Sequence, residues 1–478
     1  MTLGRRSGLA LSAASAICLI TALAGTAVAS PSAGVKGDPQ PELKPFKLGI
    51  LNATTPGSIA MEPDGSLVAA YGIGVGNGRT LICVLDRGKS ACSDKPVLTP
   101  LDNEDAEGSP QVFIPSANHV DVLASMCCDA NPAGDDLLYE STNGGKSFGA
   151  PVRVGNVSVG VAALVGNNIV FTSGDNGAGQ VIESVSLAAP GPPATTANPV
   201  TKEAFDVGVG SYRDGALVGS DSSGASFDST YVTFAPKGSD FNATSSYHLV
   251  GTFSKEDLLG MSGSAVLTIQ TDGHSSAELR LFNGTGFSAP RSVPGSAGGG
   301  PEWFSVDQDP SGAVHVFSSR GLANPSYDLI ERSTTNGGKT WSAPVDLGDA
   351  IADTNFSAAL DSHGSGLGLG TGAPTGYPVL AAQGVSFKIT PGSIHKGKSA
   401  TASGKGSPGA VGRVVTLQVE RSGKWYNVAT THEKSGGSFS FKIKGSSAGS
   451  FSYRAVAADL AGYLQYGYSN AKSLHVTG

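Results

Sequence analysis

The chain has no stretch with the 3.6-residue rhythm of Ala, Leu, Glu and Lys that long helices need. Its apolar residues alternate in short runs split by Gly, Asp and Asn, so an all-helical protein is excluded. Histidine is scarce, 8 residues in 478, and His119, His274 and His315 stand far apart, so no zinc-binding spacing results. A D-x-D-x-D-G calcium loop is missing, as is the Gly-X-Y period of collagen. No apolar run after residue 29 suits a stable membrane span. Turn residues are what the sequence has in quantity: 67 Gly and 27 Pro beside 39% hydrophobic residues. That composition describes a globular protein dense in turns, and the length exceeds one ordinary domain.

Residues 1–29 carry Arg5 and Arg6, an apolar stretch through Leu23, and Ala27-Val28-Ala29. This is the anatomy of a secretory signal peptide cleaved before Ser30, which places the protein outside the cell or at its surface. A membrane anchor would want a later partner segment, and a lipoprotein a small residue in place of Ile17 before Cys18. Residues 30–44 read as a linker. Charge then divides the remainder near Val385: 18 Lys and Arg against 36 Asp and Glu before it, 12 against 3 after it. The acidic part excludes nucleic acid as its partner, because phosphate binding needs the opposite sign. The basic part suits an anionic cell-surface polymer; a solvated lysine-rich surface is the plainer alternative.

One pattern recurs about every fifty residues: two alternating runs joined by a turn of Pro, Asp, Asn or Gly, the signature of a β-hairpin. It occupies 58–71, 110–125, 159–173, 207–220, 259–270, 303–317 and 355–370. A period of that length with four short strands per unit predicts an all-β propeller over residues 45–385. Seven blades are expected, or six if the units at Val207 and Leu259 form one enlarged blade. Residues 45–50 supply the outer strand of the last blade, closing the ring.

Two turns stand out, Ser141-Thr-Asn-Gly-Gly-Lys-Ser-Phe148 and Thr334-Thr-Asn-Gly-Gly-Lys-Thr-Trp341. They resemble the Asp-box of sialidase-type, BNR-repeat propellers, with Asn143 and Asn336 in place of the Asp and Thr334 in place of the Ser. Fainter echoes begin at Asp86 and Asn283. The resemblance implies that these turns are structural and that binding uses the opposite rim, built from the loops between second and third strands and between blades. Those loops hold Arg79, Asp129, Asp135, Asp175, Asp221, Asp228, Asp272, His274, Arg320, Tyr327 and Asp328. As a set the carboxylates suit Ca²⁺, which takes several hard oxygens, although no cofactor is required by any motif.

Sialidases grip a carboxylated sugar with three Arg, and this chain does not supply them. No Arg-Ile-Pro motif stands near its start, where Lys44-Pro45-Phe46-Lys47 falls, and only Arg79 and Arg320 lie in mouth loops. The favoured expectation is therefore a secreted, non-catalytic protein whose mouth binds an extracellular glycan or protein. The alternative is a sialidase-like glycoside hydrolase, in which two suitably spaced carboxylates serve a neutral sugar.

Beyond the leader four cysteines remain: Cys83, Cys92, Cys127 and Cys128. If 86–89 is a hairpin loop, Val84 faces Ala91 and Cys83 faces Cys92, which leaves Cys127 and Cys128 as a vicinal disulfide. The other arrangement ties Cys83 and Cys92 separately to Cys127 and Cys128. Residues 386–478 change pattern to seven short strands and are similar to bacterial immunoglobulin-like modules. Without cysteine, this β-sandwich is expected to draw its core from Trp425, Tyr426, Phe439, Phe441, Phe451 and Tyr453. Tyr463, Tyr466 and Tyr468 form a further aromatic cluster near its last strand.

Overall fold

The computed structural model describes residues 45–478 apart from 49–57, 74–78, 88, 100–104, 128–134, 156–158, 176–178, 198–203, 214, 223–229, 237–245, 252–255, 271–276, 297–303, 322–325, 352–355, 363, 371–374, 380–383, 408, 410 and 459–466. The described chain is all-β, with one short 3₁₀ turn at Ser435–Gly437.

Between Phe46 and Val379 the described strands form seven antiparallel sheets in chain order. Their first strands are Ser58–Met61, Asp105–Ser116, Val159–Val165, Ala204–Tyr212, Glu256–Ser262, Phe304–Gln308 and Phe356–Leu360. Each of these strands packs against the next, and Phe356–Leu360 packs against Ser58–Met61, so the ring closes. This is a β-propeller. Phe46–Lys47 is the outermost strand of the last sheet, with Phe46 opposite Gly376 and Lys47 opposite Thr375.

The hydrophobic effect holds the ring through one apolar cluster between every pair of neighbouring sheets. Phe113, Leu123 and Leu138 meet Ile169, Phe171 and Val185 between the second and third sheets. Phe317 and Leu329 meet Phe356 and Tyr377 between the sixth and seventh. Leu367 and Leu369 meet Leu48, Tyr71 and Leu85 where the last sheet returns to the first. Glycine lets strands approach: a Cβ on Gly368 would overlap the Phe356 ring, and one on Gly210 would sit 2.7 Å from the Gly263 carbonyl of the next sheet.

The two box turns share one hydrogen-bond scheme. Gly145 N–H donates to Ser141 Oγ at 2.9 Å and Ser147 N–H to Asn143 Oδ1 at 3.0 Å. Gly338 N–H likewise donates to Thr334 Oγ1 and Thr340 N–H to Asn336 Oδ1, both at 2.9 Å. The amide Nδ2 of Asn143 and of Asn336 donates to the Ser147 and Thr340 hydroxyls at 2.8 Å. An Asp accepts only, so Asn adds a donor that the usual box residue lacks. The glycine pairs 144–145 and 337–338 all have positive φ, between 65° and 81°.

Cys83 and Cys92 form a disulfide, Cα to Cα 5.3 Å. The register differs from expectation: Val84 bridges Asp94, not Ala91, and Ser93 N–H donates to the Val84 carbonyl at 2.7 Å. Cys92 therefore belongs to the turn ahead of the returning segment, which follows the third strand as isolated bridges. Cys127 ends the strand His119–Cys127, with Asp105 opposite. Cys128 lies outside the described residues.

From Gly384 a three-stranded sheet packs on a second sheet ordered Ser393–His395, Lys472–Thr477, Gly449–Ala457, Val414–Arg421, Lys424–His432, with Gly467–Tyr468 beside Gly449–Ala457. Phe439 and Phe441 enter the shared core, with Phe451 and Tyr453 packed against it. Trp425 and Tyr426 do not: they lie on the edge strand Lys424–His432, which is exposed along most of its length. The Trp425 ring instead stacks on the Arg454 guanidinium at 4.4 Å, with Tyr468 on it at 4.8 Å. Tyr463 and Tyr466 lie outside the described residues.

Candidate functional site

Strand register divides the ring into two rims. One carries the hairpin turns and both boxes; Gly144 N–H donates to the Asn118 carbonyl at 2.9 Å, joining a box to its hairpin turn. The other rim is where second strands hand over to third strands. Arg79 stands there opposite Ile73, Cys127 opposite Asp105, Asp175 opposite Gly179, Asp221 opposite Phe205, Arg320 opposite Asp328 and Tyr327 opposite Gly321. Arg320 and Asn336 are at opposite ends of the sixth sheet, because Thr334 pairs with Val314 at the far end from the Arg320 to Asp328 pair. Arg79 is exposed and Asp328 half-buried. Asp129, Asp228, Asp272 and His274 lie outside the described residues.

The register also shows rows that composition hides. In the sixth sheet Arg320, Asp328 and Asp349 lie side by side on three successive strands. In the second sheet Glu107, Ser125 and Asp136 form another row, one step in from Met126 and Asp135. The Asp136 carboxylate is fully buried and accepts a hydrogen bond from Ser125 Oγ at 2.9 Å. A Cβ on Gly155 would sit 2.5 Å from Asp136 Oδ2, so glycine at 155 makes room for the carboxylate. Asp136, Glu107 and Asp349 were missed by sequence reasoning, since cross-strand rows depend on register and nothing local marks them. Arg280 was missed too; it is buried within the fifth sheet, with Nη1 3.3 Å from Thr268 Oγ1 and Nη2 3.4 Å from Glu278 Oε2.

Two acid–base clusters sit at the box rim, away from the mouth, the first buried and the second partly exposed through His119 and Glu140. His315 Nδ1 lies 2.9 Å from Glu331 Oε1 and Nε2 3.6 Å from Asp309 Oδ2. Burial works against the imidazolium, yet Asp309, Glu331 and Asp307 together hold its pKa up at about 9. His119 Nε2 lies 3.4 Å from Asp121 Oδ1 and 3.2 Å from Glu140 Oε1. Burial, with Glu140 adding to it and His119 opposing, lifts Asp121 to about 6. Both clusters tie strands of one sheet together, and neither borders the mouth. Among the described residues no group of three His, Cys, Asp or Glu could hold a metal ion, and no helix is long and apolar enough to cross a membrane.

No family model and no curated protein matches this sequence. Solved structures of similar shape include a Hadza microbial sialidase, 11% identical over 68% of this chain and 65% of that one, with a TM-score of 0.38. The present chain thus spans just under two thirds of that sialidase. An α-L-arabinanase of Penicillium chrysogenum complexed with arabinobiose is 12% identical over 61% of this chain and 97% of its own, TM-score 0.41. A Trypanosoma rangeli sialidase in complex with sialic acid is 9% identical over 84% and 72%, TM-score 0.29. At these identities no neighbour's site residue transfers to a position here, and the fold rests on the strand order and ring closure above.

Proposed function

We propose that the protein is a secreted recognition module: a seven-bladed, sialidase-like propeller over residues 45–385 followed by an immunoglobulin-like sandwich over 386–478. Its mouth binds an extracellular glycan or protein without turning it over, and the basic sandwich engages an anionic cell-surface polymer. A disulfide at Cys83–Cys92 suits an oxidising compartment. The observation carrying the non-catalytic reading is the acidic company of a mouth arginine. Arg79 belongs to the first sheet and Arg320 to the sixth, where Asp328 and Asp349 share its row. A site with that balance favours hydroxyl-rich or cationic ligands over a carboxylated sugar.

The hydrolase alternative draws on Asp136, a buried carboxylate one step below the mouth rim. The deciding experiment is a glycan array combined with a hydrolysis screen on the chain from Ser30 onward. Binding without product, weakened by Arg320→Ala or Asp328→Asn, supports recognition. Turnover abolished by Asp136→Asn overturns it in favour of the hydrolase.

A further inference from the structure

The strands Gly384–Thr390, Ser399–Ser407 and Ser438–Lys444 alternate strictly between core and solvent. Phe387, Ala400, Ala402, Phe439, Phe441 and Ile443 point inward, and the residues between them point out. Four successive rows of outward residues follow from the register: Ser386, Lys405 and Ser438; Lys388, Ser403 and Ser440; Thr390, Thr401 and Lys442; then Ser399 and Lys444. Each of these four rows holds one lysine with Ser or Thr at the other positions, and a fifth row beyond Lys405, Gly384 opposite Ser407, holds none. All are exposed except Ser403, which is half-buried. Neighbouring rows are about 7 Å apart along the strands, so the four ammonium groups are spread over about 20 Å.

No carboxylate interrupts this face. The three strands contain no Asp or Glu. Of the described acids in the sandwich, Glu420 is on the other sheet and Glu433 is buried against Arg413, Oε1 to Nη2 2.6 Å. The four lysines have no ion pair among the described residues. Four like charges gathered on one sheet face with no carboxylate among them give it a positive potential that complements a negative partner.

We infer that this lysine and hydroxyl face docks a linear polyol-phosphate polymer. The inference rests on the reading of the sandwich as the partner of an anionic surface polymer and gives that partner a chemistry and a place. Regularly spaced single cations match a chain with one phosphodiester per repeat, and the Ser and Thr hydroxyls match polyol oxygens. The face has no aromatic side chain, so it lacks the platforms on which nucleobases or sugar rings stack.

The test measures binding of the whole chain from Ser30 onward to synthetic poly(glycerol phosphate) across a salt series. Polygalacturonate and oligothymidylate serve as competing polyanions. Poly(glycerol phosphate) is expected to bind best. The quadruple variant Lys388→Gln/Lys405→Gln/Lys442→Gln/Lys444→Gln should lose at least about tenfold in affinity and flatten the log–log salt slope by about 3. The double variant Lys388→Gln/Lys442→Gln should weaken binding more than Lys424→Gln/Lys472→Gln, which removes the same charge from the other sheet. Equal losses from the two doubles, equal binding of the other polyanions, or no binding overturns the inference. Turnover on the glycan array would overturn the mouth reading while leaving these results standing, so the two failures are distinguishable.

Discussion

The two rims of the ring are built from the same strands and differ in what joins them. At the box rim the hairpin turns between first and second strands are short, two residues between Ser116 and His119, Val165 and Asn168, or Ser262 and Ala265, and the box connections span ten, from Ser141 to Val152 and from Thr334 to Val345. Side chains there accept hydrogen bonds from turn amides and hold charged clusters between strands. At the mouth rim the connections between second and third strands are three to seven residues long, seven between Cys127 and Asp135 and between Ser222 and Thr230, and ionisable residues end up in cross-strand rows. The difference teaches that one rim spends its polar residues on holding sheets together, leaving the other free to vary with the ligand.

That contrast can be broken most forcefully at the wall common to both rims. Phe171→Ala, in the cluster between the second and third sheets, should cost about 3–5 kcal/mol, read as a fall in denaturation midpoint. Next comes the His315 cluster. Its pKa is raised from 6.5 to about 9 in the folded chain, so its contribution is complete below pH 6.5 and lost as pH rises through 9. Unfolding free energy should fall by about 2–3 kcal/mol over that window, and His315→Gln should remove the slope. An unchanged slope in the variant would assign the pH dependence to other groups. Asn336→Ala should cost about 1–2 kcal/mol through the lost turn hydrogen bonds, with Asn336→Asp milder because it keeps the acceptor. Smallest is the mouth: Arg79→Ala should move stability by less than about 0.5 kcal/mol. A stability loss there as large as that of Asn336→Ala would erase the proposed division between rims.

How much of this was visible in the sequence follows the range of the interactions. Hairpins, box turns and the closing strand at Phe46 are legible because alternation and Asn-Gly-Gly turns are local. Even the Cys83 and Cys92 pairing is foreseeable from proximity, although its register is not, since Ser93 and Asp94 rather than Ala91 meet Val84. Trp425 and Tyr426 mislead because alternation does not say which strand lies at a sheet edge. The Asp136 and Asp349 rows, and the meeting of His315 with Asp309 and Glu331, depend on register fixed by the packing of whole strands.

The strand Phe46–Lys47 is synthesised first and paired last. Its partner, Thr375–Val379, lies more than three hundred residues further along the chain, so the earliest piece of the propeller must wait for the final one. Contacts so distant in sequence slow folding, and the closing strand is the seam at which an incomplete ring stands open.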